Sequence, residues 1–261
     1  IRDPALLLLA HRMLGATLFY LGEVALARAH FEQVIALYDP QQHRSLASLY
    51  MTDSGVHCLS YTAFALWLLG YPDQALKRNH EALTLARELS HPYSLAYALF
   101  FAAVVCQFRR EGQTAQERTE TVIALSSEQG FPLWLAVGTI LQGWVLAEQG
   151  QRDEGITQIR QGLAAYRATG AEIARTYFLA LLAEAYGKVG QAEEGLTALA
   201  EALTVADKTG ERFYEAELYR LKGALTLKQS GVRSQKLKNV FTRPSRSLAS
   251  SKRNRWSCER R

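Results

Sequence analysis

Residues 177 to 208 read YFLALLAEAYGKVGQAEEGLTALAEALTVADK. In the first half, apolar side chains fall at Leu179, Leu182, Ala183 and Tyr186. In the second half they fall at Leu196, Leu199, Ala202, Leu203 and Ala206. Both sets follow the three-and-four spacing of one helical face. Between them, Val189-Gly190-Gln191 is a short break, and Gly190 can take the positive φ of a tight turn. Gly210, just beyond the second half, is suited to end a helix. The stretch therefore predicts two helices, 177–188 and 192–208, joined by a turn.

The stretch is also one copy of a repeat, and working outward from it organises most of the chain. Gly130, Gly170 and Gly210 stand forty residues apart, as do Gly150 and Gly190, and Pro92 and Pro132. Small residues recur at the same step at Ala63, Ala103, Gly143, Ala183 and Gly223. A second small series is Ala75, Ala115, Gly155 and Gly195. Apolar pairs follow at Ala82-Leu83, Val122-Ile123, Gly162-Leu163 and Ala202-Leu203. An earlier copy holds Gly15, Gly22, Ala27 and Val34-Ile35, forty-eight residues before the next, so eight extra residues separate them. Within a copy the two small series lie twelve apart, which puts a small side chain on each helix at one close crossing. No period-two strand pattern occurs before residue 230.

Met13-Leu14-Gly15 with Ala27 and Phe31, and Leu182-Ala183 with Tyr186, resemble the tetratricopeptide (TPR) repeat, with Leu-Gly-x-x-Tyr on its first helix and Ala-x-x-x-Phe on its second. The resemblance implies an all-α fold: antiparallel helix-pair repeats stacked in a right-handed superhelix, an α-solenoid. The units are expected at about 3–40, 55–90, 92–130, 132–170 and 172–210, with a half unit at 212–230, giving eleven helices within residues 1–230. Turns are expected near Gly22, Gly70, Arg110, Gly150 and Gly190, where Arg110 takes the place of a glycine. HEAT-type repeats have a similar period, but the small pair twelve apart favours the TPR reading. The long period also resembles the helical sensor arms of large bacterial signalling ATPases. That likeness implies cyclase or DNA-binding and nucleotide-binding modules upstream in a parent chain. The absence of any Met before Met13 fits a piece of something longer.

Hydrophobic residues make up 48% of the 261, enough for a sizeable core and too many for a globally disordered chain. No apolar run reaches the roughly 18 residues of a membrane span. Cys58, Cys106 and Cys258 are odd in number, widely spaced and free of any CxxC, which disfavours a disulfide framework or zinc site and fits a cytoplasmic location. No phosphate loop, GxSxG elbow or HExxH is present, so no enzyme activity, cofactor or metal is expected. The insert from Asp39 to Cys58 holds Asp39, His43, Arg44, Asp53, His57 and Cys58. Its spacing matches no common metal-ligand pattern. It reads as a connection with turns at Asp39-Pro40 and Asp53-Ser54-Gly55, or as a binding loop at a groove rim.

In a TPR array the first helix of each unit lines the concave face. Carried over, that face holds Phe19 and Tyr20, then His57, Phe64 and Trp67, then Tyr97, Phe100, Gln107 and Phe108. The later units supply Trp144 and Glu148, then Tyr177, Glu184 and Lys188, then Glu217 and Arg220. Some of these rings belong to the core between repeats, as aromatic stripes at helical spacing usually do. The rest are expected to face one groove that takes a protein or peptide segment or a small effector. The candidate site is Tyr20, Phe64, Trp67, Tyr97, Phe100, Gln107, Trp144, Glu148, Tyr177, Glu184 and Arg220. The chain thus reads as a non-catalytic interaction and sensing module of a larger signalling regulator. The competing readings are a fragment of an ATP-dependent or cyclase enzyme with its catalytic modules upstream, and a nucleic-acid binder.

The charge distribution disfavours nucleic acid. The formal charge is +5, but residues 231–261 carry ten Lys and Arg against one acid, leaving 20 basic and 24 acidic residues before them. The body is mildly acidic and the end strongly basic. After Lys228 the repeat breaks, with Thr242-Arg243 where an apolar pair is due. Residues 231–261 therefore read as a basic, disordered tail or as the product of a shifted reading frame, in which the same bases can encode an amphipathic helix.

Overall fold

The computed structural model describes residues 3–229, and the basic stretch expected as a tail lies outside them. Thirteen helices and no strand are found among the described residues. Eleven are long. The first pair is α1 (Pro4–Tyr20) and α2 (Val24–Leu37), and two short helices follow, α3 (Pro40–His43) and α4 (Leu46–Tyr50). Four further pairs are α5 (Ser54–Leu68) with α6 (Pro72–Glu88), α7 (Pro92–Phe108) with α8 (Gly112–Gln129), α9 (Pro132–Glu148) with α10 (Arg152–Ala168), and α11 (Arg175–Lys188) with α12 (Ala192–Thr209). A single helix, α13 (Glu215–Gln229), closes the described array. The fold is a TPR-like stack of helix pairs.

Local chemistry sets the boundaries. Proline opens α1, α3, α6, α7 and α9, where its missing N–H has no partner to lose and its fixed φ already suits a helix. Within each pair the chain reverses through a left-handed residue: Gly22 (φ 85°), Gly70 (84°), Arg110 (60°), Gly150 (95°) and Gly190 (81°). The second helix of the later units ends at another left-handed residue, Ser90 (φ 50°), Gly130 (68°), Gly170 (77°) or Gly210 (78°). Ser90 extends the glycine series one repeat earlier.

The small residues twelve apart do let the paired helices close up. A Cβ built on Gly143 would lie 2.6 Å from the Gly155 carbonyl oxygen and 2.7 Å from the Ile159 nitrogen. One built on Gly155 would lie 2.5 Å from the Gly143 oxygen. Backbone meets backbone here, so no side chain can give way. Ala63, Ala75 and Ala183 play the same part and are fully buried. Gly223, last in the series, has no atom of the described residues within 4 Å of an added Cβ.

Two features depart from a bare repeat. The turns expected at Asp39-Pro40 and Asp53-Ser54-Gly55 are helix N-caps instead. The Asp39 carboxylate accepts the Gln41 N–H at 2.8 Å and starts α3, and the Asp53 carboxylate accepts the Val56 N–H at 3.0 Å and starts α5. The insert thus folds into α3 and α4 rather than an open loop. Second, the array curls until its ends meet. The Arg212 N–H donates to the Tyr20 carbonyl at 2.7 Å. Phe213 packs its ring 5.3 Å from Phe19, 5.5 Å from Tyr20 and 5.8 Å from Phe64, centroid to centroid.

Candidate ligand-binding cavity

The curl leaves a cavity of about 600 Å³ inside the array. Every pair contributes to its wall: Arg12 and Tyr20 from α1, His57 and Tyr61 from α5, Tyr93, Tyr97, Phe100 and Phe101 from α7, Leu133, Trp134 and Val137 from α9, and Tyr166 and Phe178 from α10 and α11. Two segments of irregular backbone complete it. Tyr50, Met51 and Thr52 lie at the end of the insert, and residues 170–174 form the link between α10 and α11. Both segments hold a left-handed residue that is not glycine, Met51 at φ 62° and Ala174 at φ 62°. Such a conformation is uncommon and requires support from its surroundings. The support is visible for Ala174, whose N–H donates to Glu211 at 2.7 Å. The Tyr166 hydroxyl also donates to the adjacent Ile173 carbonyl.

The sequence-predicted site divides into three groups. Tyr20, Tyr97 and Phe100 line the cavity. Phe64 and Trp67 do not; Phe64 packs against Phe19, Phe108 and Phe213, and Trp67 stacks on Phe108 at 5.8 Å. Gln107 and Tyr177 are buried and bonded to each other, the tyrosine hydroxyl donating to the amide oxygen at 3.0 Å. Trp144 is 1% exposed and serves as core beneath the Arg110 guanidinium. Glu148 and Glu184 form a charge cluster at the surface: Arg110 pairs with them at 2.9 and 2.5 Å, and Lys188 pairs with Glu148. Arg220 is exposed and grips Glu217 through two bonds of 2.6 Å. The expected single groove is therefore a partly filled interior, and the open space lies toward the insert. Phe64 is packed away from it against Phe213 of the sixth half unit, Gln107 and Tyr177 are sealed onto each other, and Trp144 lies in the core under Arg110.

Arg12, Tyr61, Trp134, Phe101 and Phe178 were not among the expected site residues. Arg12 falls on the inward stripe of α1 with Leu8, Gly15 and Phe19, but its charge reads as a surface residue. Thr52 at the end of the insert and Ser54 at the start of α5 hold its guanidinium inside.

His57, Tyr20, Tyr61 and Tyr97 of the wall are held neutral. Burial, aided by the Arg12 charge, pushes the His57 imidazole well below its usual range, so it is uncharged at neutral pH. Burial raises the Tyr61 hydroxyl to about 12 and moves Tyr20 and Tyr97 well above 10. The Tyr20 and Tyr61 hydroxyls lie 2.6 Å apart. Burial likewise raises the Cys58 thiol beyond the range of a reactive thiolate. No group of three or more His, Cys, Asp or Glu side chains that could hold a metal occurs among the described residues. No described helix is long and apolar enough to cross a membrane.

No protein-family model matches the chain. A curated protein of Rhizobium meliloti (strain 1021), uncharacterized protein R02095, is 24% identical over 227 residues. That alignment covers 85% of this chain and 22% of the longer protein, so the chain spans about a fifth of its relative. Among solved structures, a Rap protein complexed with competence and sporulation factor superposes with a TM-score of 0.57 at 14% identity, covering 87% of this chain and 67% of that one. Aspartyl phosphate phosphatase F from Bacillus subtilis gives 0.56 at 12% identity, covering 91% and 60%. The apo form of RapI gives 0.55 at 16%, covering 94% and 84%. At these identities the likeness speaks for the fold.

Proposed function

We propose that this array is a non-catalytic, effector-sensing interaction module of a larger signalling regulator, and that a peptide segment or small ligand enters the interior cavity. One observation carries the reading: five successive units and the insert converge on a single aromatic space, and contacts between the first and sixth units close the curl around it. Ligand pockets are typically about 300–1,000 Å³, largely apolar, with a few placed polar groups. A ligand touching every unit senses the pitch of the whole stack. Its binding energy can then favour one curvature over another and couple to neighbouring modules, with a coupling of roughly 1–3 kcal/mol. The short share of the Rhizobium relative that the chain covers supports a larger parent protein. A neighbour captured with competence and sporulation factor supports a ligand-bound role for such a curl.

Leu133 stands half-buried at the cavity wall, where a larger ring fills space without entering a packed helix crossing. Screening a random peptide library and a set of small metabolites by thermal shift tests the reading. Ligands that raise the melting temperature of the wild-type chain and leave Leu133→Trp unaffected support it. Ligands that stabilise both proteins equally would move the binding site elsewhere.

A further inference from the structure

Arg12 stands out among the residues of the cavity wall. Its side chain lines the space, yet the residue is only 7% exposed. Nη1 donates to the Thr52 carbonyl at 3.1 Å and the Ser54 hydroxyl at 3.2 Å. Nε is buried without a hydrogen-bond partner, and Nη2 has none among the described residues. These two N–H groups form the side edge of the guanidinium, the edge that takes a carboxylate through two parallel bonds. No described carboxylate lies within ion-pair distance of Arg12. The nearby acids are committed elsewhere. Asp53 accepts from Tyr38 and Val56, Glu172 pairs with Arg175 at 2.9 Å, and Glu211 accepts from Ala174 and Thr176.

A guanidinium cannot shed its charge, and a buried charge without a counterion is costly. The ring of Tyr50, 5.9 Å away, offsets part of that cost by facing the cation. The rest is left for an anion. The remaining wall selects its body. Phe100, Trp134, Val137 and Phe178 present rings and a branched aliphatic, and no lysine or second arginine lines the space. One positive charge matches a monoanion rather than a phosphate dianion.

We propose that the cavity binds a carboxylate carried on an aromatic or branched apolar body, with the carboxylate paired to Arg12 and the body among Phe100, Trp134 and Phe178. This rests on the cavity being the effector site. The same chemistry is offered by a free organic acid and by the C-terminus of a short apolar peptide.

Four probes test the proposal on the full chain by calorimetry: 2-naphthylacetate, 2-naphthylacetamide, and the tripeptide Val-Leu-Phe with a free or an amidated C-terminus. The expected result is that one acid binds at least tenfold more tightly than its amide. Arg12→Gln should bring that ratio close to one with the amide still measurably bound, a control that also reports an intact cavity. Arg12→Lys, which keeps the charge and loses the planar edge, should give an intermediate ratio. Which acid shows the effect distinguishes the free molecule from the peptide terminus. Acid and amide bound equally by the wild type, and both lost in Leu133→Trp, would overturn the anion assignment and leave the cavity reading standing. Failure of all four probes to bind would overturn the assignment too, and would count against the cavity reading.

Discussion

Arg110 occupies a position that glycine holds in four sister turns, and its φ of 60° carries the steric cost that glycine avoids. Its side chain brings compensation, reaching Glu148 and Glu184 and covering the Trp144 ring at 5.8 Å. Half-exposed ion pairs contribute only about 0–1 kcal/mol each, so strain and pairing nearly offset. Arg110→Ala and Arg110→Gly remove the same pairs, and only alanine keeps the strained backbone. Urea unfolding should therefore find Arg110→Gly more stable than Arg110→Ala by about 1 kcal/mol. Equal stabilities would mean the turn relaxes without cost. His57 offers a second test at this scale. Its native pKa lies below the unfolded value because burial and Arg12 oppose its charge. The unfolded chain gains a proton as pH falls through about 6.5, while the native chain does not until lower pH. The His57 contribution is thus complete above about 6.5 and is lost as pH falls toward the native value, by at most about 1.4 kcal/mol per pH unit. Between pH 7 and 5.5 the melting temperature of the wild type should drop more steeply than that of His57→Gln. Parallel slopes would place the imidazole in water.

Between paired helices, one register position gives opposite outcomes. Gly143 meets backbone atoms of α10 at 2.6 and 2.7 Å from an added Cβ, whereas Gly223 meets no atom of the described residues within 4 Å. Gly143→Ala should push α9 and α10 apart and destabilise by roughly 1–3 kcal/mol. Gly223→Ala should stabilise by about 0.5–1 kcal/mol, because it adds helix propensity without a clash with any described residue. Denaturant midpoints of the two variants decide this, and a shared sign would contradict the twelve-residue pairing. The insert teaches a related lesson. Asp39-Pro40 and Asp53-Ser54 carry the same local chemistry as a turn or as a helix start, an acid followed by proline or serine. The N–H groups of Gln41 and Val56 made the difference, since each needed a partner once a helix formed after it.

Across the molecule, the contact between first and sixth units turns an open solenoid into a closed curl. It joins residues almost two hundred positions apart through the Arg212–Tyr20 hydrogen bond and the Phe213 ring. In a stack where units meet mainly their sequence neighbours, such a contact adds a term that no nearest-neighbour sum contains. Phe213→Ala should remove it. Truncating a buried phenylalanine costs up to about 3–5 kcal/mol, and the loss should be local. Hydrogen exchange should quicken together at residues 19–23 and along α13, with α7 and α9 little changed. Faster exchange in α13 alone would show that the curl closes without Phe213.

The helical repeat was legible in the sequence because its causes are local and recur. Three-and-four spacing makes a face, glycine makes a left-handed turn, and a small residue on each helix permits one close crossing. The pairs α11 and α12 begin and end within about two residues of the boundaries read from residues 177–208. Tyr20, Tyr97 and Phe100 were legible as cavity residues for the same reason, since helix phase alone turns them inward. What periodicity could not supply was the sum of small rotations between successive units. That sum decides whether a concave aromatic ring faces open space or another ring. It packed Phe64 against Phe213, sealed Tyr177 onto Gln107, and left the open volume beside Arg12. Burial of a charge depends on elements far apart in the chain, so the most telling residue of the cavity is one that only tertiary structure could single out.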